Sequence, residues 1–250
     1  MKMGVSTKAF PLRYWDNELL KYNYRTIEIC STTNILPKKE VGREAIKENL
    51  KNFDLSLHSS NHLFNKNRLV AGAEIANFRY HSFLAKELGA KEVIFHVSSE
   101  FDIDVFKKQE HEFRNIINEY GREYYIENNS GGLFSSHEEI LWFCRRFPEI
   151  KICLDIGHIH RAFFRGAIKG EEKTIFEMKN KINYVHLHDN NGLKDEHLAC
   201  GSGNIEWEKV IPILNEINPK KAIIEVNNPK DVEISKTFLM ENGLKIECYK

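Results

Sequence analysis

Histidines and acids recur in this sequence at one kind of place, the end of a short apolar run. The runs read DLSLHSS, VIFHVSS, YYIENNS, CLDIGHIH, YVHLHDN and AIIEVNN. They deliver His58, His96, Glu127, Asp155 with His158, His186 with His188, and Glu225, while Asp195 and His197 lie a few residues after His188. One histidine at a strand end is most often a hydrogen-bonded structural residue, so it is the joint occurrence that carries weight. Acids crowded together repel and raise one another's pKa, and a bound cation removes that repulsion. Imidazole with carboxylate is the ligand set of Zn²⁺, Mn²⁺, Fe²⁺ or Co²⁺. The residue types alone therefore point to a divalent metal centre. His186 and His188 share a strand face by the period of two, so one is expected to ligate and the other to support it. Asp195 and His197 converge if their loop is extended. Gly201-Ser202-Gly203-Asn204 precedes a helix and reads either as a phosphate-holding turn or as a tight turn that packs the loop. His62, His81, His111 and His137 lie in polar or helical stretches and are expected at the surface. His160 is near the site without a ligand role.

For these side chains to meet, their strands must end at one place. Strand-like segments are expected at residues 2–6, 26–30, 53–58, 92–96, 123–127, 151–155, 183–188 and 221–226. Their continuous apolar character suits parallel strands buried on both faces. Helical segments are expected at 16–21, 38–52, 67–88, 104–120, 136–147, 174–181, 206–217 and 231–242. Gly89, Gly121 and Gly243 mark helix ends, Ser136 with Glu139 reads as a capping box, and Pro148 is a stop. Eight strand–helix units in 250 residues predict a single-domain α/β chain folded as a (β/α)8 TIM barrel over residues 1–250. Such a barrel points the ends of its strands at one mouth. A doubly wound open sheet is the alternative, but residues 6–13 lack the glycine-rich phosphate turn that fold usually carries. The stretch RAFFR, Arg161 to Arg165, reads as a packing loop, a substrate wall, a lid or a dimer contact.

Composition narrows the partners. The 36 basic and 36 acidic side chains give a formal net charge of zero, and 42% of residues are apolar. This composition excludes disorder. No apolar run approaches the roughly 18 residues of a spanning helix, so no membrane association is expected. Zero charge argues against extensive phosphate-backbone binding without excluding a local basic patch. The five cysteines are widely spaced with no CxxC pair, and no export signal is visible. They are expected to be reduced thiols of a cytoplasmic protein, with Cys30 and Cys153 as packing residues.

Taken together, these residues resemble the xylose isomerase-like barrel superfamily, which also contains the endonuclease IV type of abasic-site endonuclease. The resemblance covers almost the whole chain and is strongest from Glu127 to Glu225. The run YVHLHDNNGLKDEHLACGSGNIEW is similar to that of the sugar-phosphate isomerase/epimerase branch. That branch implies one divalent ion (Zn, Mn or Co) held by Glu127, Asp155, His186 and Glu225. Glu127 and Glu225 would double as the catalytic acid and base, and His158 would contact the sugar. His188, Gly201 and Gly203 are further candidate substrate contacts. The endonuclease branch implies three zinc ions. His58, His96 and Glu127 would hold one, Glu127, Asp155, His186 and Glu225 a second, and His158, Asp195 and His197 a third.

The sequence departs from the endonucleases in the loop after the third strand, which begins Ser59-Ser60-Asn61-His62 with no aromatic residue before Phe64. The Asp195-Glu196-His197 segment departs from many epimerases, which carry an arginine there. The leading expectation is a metal-dependent sugar or sugar-phosphate isomerase/epimerase acting on a small-molecule sugar. The alternative is a zinc phosphodiesterase of abasic DNA, and only under it is DNA a partner. Oligomeric state is not legible.

Overall fold

The computed structural model describes residues 1–10, 19, 24–31 and 40–247. Its strands are β1 (Lys2–Ser6), β2 (Thr26–Cys30), β3 (Asp54–Leu63), β4 (Glu92–Val97), β5 (Glu123–Glu127), β6 (Lys151–Asp155), β7 (Ile182–Leu187) and β8 (Lys221–Ile224). Each pairs in parallel with the next, and β8 returns to β1, closing the barrel. The described helices are α1 (Glu40–Leu50), α2 (Arg68–Leu88), α3 (Ile103–Tyr120), α4 (His137–Arg146), α5 (Ile156–Phe164), α6 (Glu171–Met178), α7 (Trp207–Ile217) and α8 (Pro229–Glu241). The chain is a single-domain (β/α)8 TIM barrel. None of these helices is long and apolar enough to cross a membrane.

The two-residue period of a strand explains how one sequence builds both core and site. Val93, Phe95, Tyr124, Ile126, Ile152, Leu154, Ala222 and Ile224 belong to the large apolar cluster shared with the helices. The alternate residues Ile94, Tyr125, Cys153, Tyr184 and Ile223 form a separate cluster inside the barrel. Two positions further along each strand stand His96, Glu127, Asp155, His186 and Glu225. Two positions earlier on β4, β5, β6 and β8 stand Glu92, Glu123, Lys151 and Lys221. The interior thus has an apolar middle layer, a histidine–acid layer above it and a charged layer below.

The helix signals act as expected where they are described. Asn67 and Asp102 cap α2 and α3 by accepting backbone N–H bonds. Gly89 and Gly121 end the same helices with φ of 79° and 58°. The Ser136–Glu139 capping box starts α4. Cys144, Cys153 and Cys200 are buried free thiols, and Cys30 is buried on β2.

Four expectations need correction or qualification. First, β3 does not end at His58. Its register slips between His58 and His62, and it resumes pairing with β4 through His62 and Leu63. The polar residues Ser59, Ser60 and Asn61 fill this irregular stretch, which masked its strand character. Second, Asp155 leads directly into α5, which carries His158, and RAFFR, read above as a packing loop among other options, is helical up to Phe164. The Asp155 carboxylate accepts the His158 N–H at 2.7 Å and caps this helix. Third, α6 starts at Glu171 and ends at Met178, earlier than expected at both ends. Fourth, the helix expected at 16–21 lies outside the described residues apart from position 19, as does the start of the one expected at 38–52.

The charged layer at the bottom closes the barrel with matched ions. Lys221 is fully buried. Its Nζ lies 2.7 Å from Glu92 and 3.1 Å from Asp54. Lys220 bridges Glu92 and Glu123 at 2.7 and 3.2 Å. Burial works against charge on Asp54, but Lys221, Lys2 and Lys91 outweigh it and lower its pKa from 3.8 to about 2. A buried ion pair broken on one side leaves an uncompensated charge, so Lys221→Met should cost about 3–5 kcal/mol in urea unfolding. A loss under 1 kcal/mol would contradict the pairing. Because the folded pKa of Asp54 is depressed, its stabilisation is full above its unfolded value and disappears as pH falls from about 4 to about 2. Asp54→Asn should flatten the stability profile across that window, and an unchanged slope would contradict the assignment.

Candidate metal centre

Glu127 ends β5 and is fully buried at the centre of the upper layer. His58 Nε2 and His96 Nε2 approach its Oε2 at 3.1 and 3.4 Å, and His158 Nδ1 approaches Oε1 at 3.4 Å. The two nitrogens His58 Nε2 and His96 Nε2 are themselves 3.2 Å apart. Among the described residues, neither Glu127 oxygen has a hydrogen-bond partner. A buried carboxylate with no donor is costly unless a cation meets it.

A second convergence lies around His186. Its Nε2 lies 2.8 Å from Glu28 Oε2, on β2, so Nε2–H donates to that carboxylate. This leaves Nδ1 facing Glu127 at 3.4 Å and Asp155 and Glu225 at 3.8 Å each. Nδ1 also has no hydrogen-bond partner among the described residues. One nitrogen held by a carboxylate while the other faces three more is the arrangement of a metal-ligating histidine with its supporting acid. The orphaned atoms fit a divalent ion held by Glu127, Asp155, His186 and Glu225. Glu28 is further fixed by the Tyr184 hydroxyl, which donates to it at 2.9 Å.

Outside this lies a third group, His158, Asp195 and His197, with His188 against it. His158 Nδ1–H donates to the Asn128 carbonyl at 2.8 Å, and His197 Nδ1–H donates to the Glu225 carbonyl at 2.8 Å. Both rings thereby aim Nε2 at Asp195 Oδ2, at 3.1 and 3.2 Å. His188 stacks on His197 with centroids 3.9 Å apart and contacts Asp155 at 3.1 Å. Gly157 is required here, because a Cβ at that position would sit 2.0 Å from the His188 ring.

The loop carrying Asp195 and His197 is anchored by Asp189. Its carboxylate accepts the Gly201 N–H, the Ile205 N–H and the Trp207 indole N–H. The glycine turn therefore wraps an acid of its own chain. Gly201 and Gly203 stand behind the loop and do not line the cavity. His197 itself takes φ 49°, a left-handed conformation that costs roughly 1–3 kcal/mol and persists where the surroundings enforce it.

These groups floor an open cavity of about 330 Å³, within reach of His58, His96, Glu127, His158, Asp195, His197 and Glu225. That volume is at the small end of ligand pockets. Asp155, His186 and His188 lie fully buried beneath. The nine residues expected as ligands are thus brought together. Three site residues were not anticipated. Glu28 stands in the middle of β2 rather than at its end, although an acid flanked by apolar residues, as in TIEIC, is the same signal that marks Glu225. Lys8 follows β1 and reaches the cavity. His62 is exposed, as expected, yet stacks on His96 at 4.9 Å and lines the rim. His81, expected at the surface, is half-buried, and its Nδ1 contacts Ser59 and Asn61. Burial lowers its pKa to about 4. Phe64 is fully buried in the aromatic core beside Phe106 and Phe113, away from the mouth.

Electrostatics follow the geometry. Burial disfavours charge on His96 and lowers its pKa to about 3, despite the attraction of Glu127. Its neutral ring suits a ligand. Burial also opposes charge on His158, but Asp155, Asp195 and Glu127 raise its pKa to about 10. His186 is raised well above its ordinary value, its burial overcome by Cys153, Glu28, Glu127 and Glu225. The carboxylates of Glu127 and Glu225 are correspondingly lowered, burial being outweighed by His186 and His58 for the first and chiefly by Lys8 and His186 for the second. The mouth calls for positive charge, supplied here by protons on imidazoles and replaceable by metal.

Comparison with known proteins bears on the family and the fold. A family model described as xylose isomerase-like TIM barrel matches residues 17–244. An uncharacterized protein of Methanocaldococcus jannaschii, MJ1614, is 32% identical over 136 residues, covering 54% of this chain and 51% of its own length. The chain spans about half the length of the curated relatives it matches. Among solved structures, a D-tagatose 3-epimerase-like protein superimposes with a TM-score of 0.81 at 25% identity, covering 97% of each chain. An IOLI protein with a bound zinc atom superimposes with a TM-score of 0.74 at 18% identity, covering 97% of this chain and 98% of that one.

Glu28→Gln should weaken divalent-ion affinity by about 10–100-fold in calorimetric titration, because it removes the charge that orients His186. Unchanged affinity would show that Glu28 does not support the ligand.

Proposed function

The chain belongs to the xylose isomerase-like TIM barrel family, and we propose that it is a divalent-metal-dependent isomerase or epimerase of a sugar or sugar phosphate. The observation that carries this reading is the convergence of Glu127, Asp155 and Glu225 on His186 Nδ1, with Glu127 and Glu225 also lining the cavity. The epimerase-like structural relative supports the same reaction class. When bound, a divalent ion at these four residues supplies Lewis-acid polarisation of substrate oxygens. Zinc, manganese and cobalt all suit the donor set, and the zinc-bound relative favours the first.

The protein's own groups then move the proton. In this reading one of Glu127 and Glu225 removes the proton beside the sugar carbonyl, and the same or the other carboxylate returns a proton to the enediolate. Their lowered pKa values keep both carboxylates ionised. The cavity volume suits a monosaccharide. Along its wall, His158, Asp195 and Lys8 offer donors and acceptors to sugar hydroxyls.

One observation favours a second reading. His58, His96 and Glu127 form a ligand group of their own, and so do His158, His188, Asp195 and His197. Several ions in one mouth suit a phosphodiesterase of abasic DNA, which stabilises attacking and leaving oxygens together. Against it stand the small cavity, whose described lining contains Lys8 but no arginine, and the burial of Phe64.

Glu127→Gln and Glu225→Gln should each lower sugar interconversion and solvent-deuterium incorporation by about 10²-fold or more while some metal is retained. Wild-type turnover in either would remove the acid–base assignment. Chelation should abolish the activity, and adding back zinc, manganese or cobalt should restore it. Chelator-sensitive nicking of an abasic duplex, with no exchange on any sugar, would transfer the conclusion to the second reading.

A further inference from the structure

Lys8 sits on the short 3-10 turn Thr7–Ala9 that follows β1. Its Nζ lies 2.7 Å from His197 Nε2 and 3.6 Å from Glu225 Oε1. The side chain is only 20% exposed. His197 Nδ1–H is already donated to the Glu225 carbonyl, so the ring meets Lys8 through Nε2. An ammonium has three donors and no acceptor, so the Lys8–His197 bond has one sense: Lys8 donates. The lone pair that accepts is also the one a metal ion would need. Asp195 Oδ2 and His158 Nε2 aim at the same region.

A ligand lone pair cannot serve an ammonium and a metal together. Two cations also repel strongly when crowded into a partly buried site. We propose that Lys8 is the resident cation of the His158–Asp195–His197 group and excludes a metal ion from it. This inference rests on the metal reading of the deeper residues. It gives His158, Asp195 and His197 a different task from their neighbours. They present a fixed acceptor and a lysine donor to the substrate at the cavity wall, while metal is confined to the acids and histidines below. It also links one residue to the choice between the two functional readings, because a three-metal phosphodiesterase site needs the position Lys8 fills.

The test is metal content per chain, read by elemental mass spectrometry after saturation with zinc and removal of free ion. The set is wild type, Lys8→Met, Lys8→Arg and the double variant Lys8→Met/His197→Ala, each first checked for wild-type circular dichroism. Lys8→Met should hold about one zinc more than wild type, Lys8→Arg should not, and the double variant should lose the added ion. An equal count in wild type and Lys8→Met overturns the proposal, whatever the count. If that shared count is above zero, the metal reading of the deeper residues survives. If it is zero, that reading fails as well.

Discussion

Acids crowded into a poorly solvated barrel mouth repel one another, and the upper half of this protein is organised by the need to relieve that repulsion. Glu28, Glu127, Asp155 and Glu225 are all nearly or fully buried. At the bottom of the same barrel the problem is solved internally, because Lys221 and Lys220 reach Glu92, Asp54 and Glu123 directly. At the top, imidazoles take the place of most of those lysines. Imidazole is neutral or charged as its surroundings dictate, and it binds metals when neutral. The two ends of one barrel thus show the difference between a structural charge network and a site.

The scaffold supports this by repetition. Each inward position is two residues from the next, so one register error would move acid and histidine out of the mouth together. The main-chain carbonyls of Asn128 and Glu225 fix the rings of His158 and His197, and the Glu28 carboxylate fixes that of His186. The site's lone pairs are therefore aimed before any ligand arrives. Such preorganisation is what lets a site discriminate among ions and substrates.

Much of this was legible in the sequence because period-two alternation and apolar run ends are local signals. The barrel, its eight strands and the convergence of His58, His96, Glu127, Asp155, His186 and Glu225 follow from them. What escaped depends on long-range geometry. The slip in β3 after His58 has no local hydrophobic mark, since Ser59, Ser60 and Asn61 are polar and strand pairing resumes only at His62. The helical start at Ile156 hides behind strand-like residues, and only the Asp155 cap reveals it. Lys8 lies 189 residues from His197, so nothing near either residue announces their contact. The Gly201–Gly203 turn illustrates the opposite difficulty, because its sequence suits an anion and the anion proves to be Asp189.

The central claim is that a divalent cation belongs among Glu127, Asp155, His186 and Glu225. Crystals grown with manganese or zinc and measured on both sides of the metal absorption edge test it most directly. The account predicts an anomalous difference peak bonded to those four side chains, with His186 ligating through Nδ1. Full metal occupancy elsewhere in the mouth, with no peak at these four residues, would contradict it.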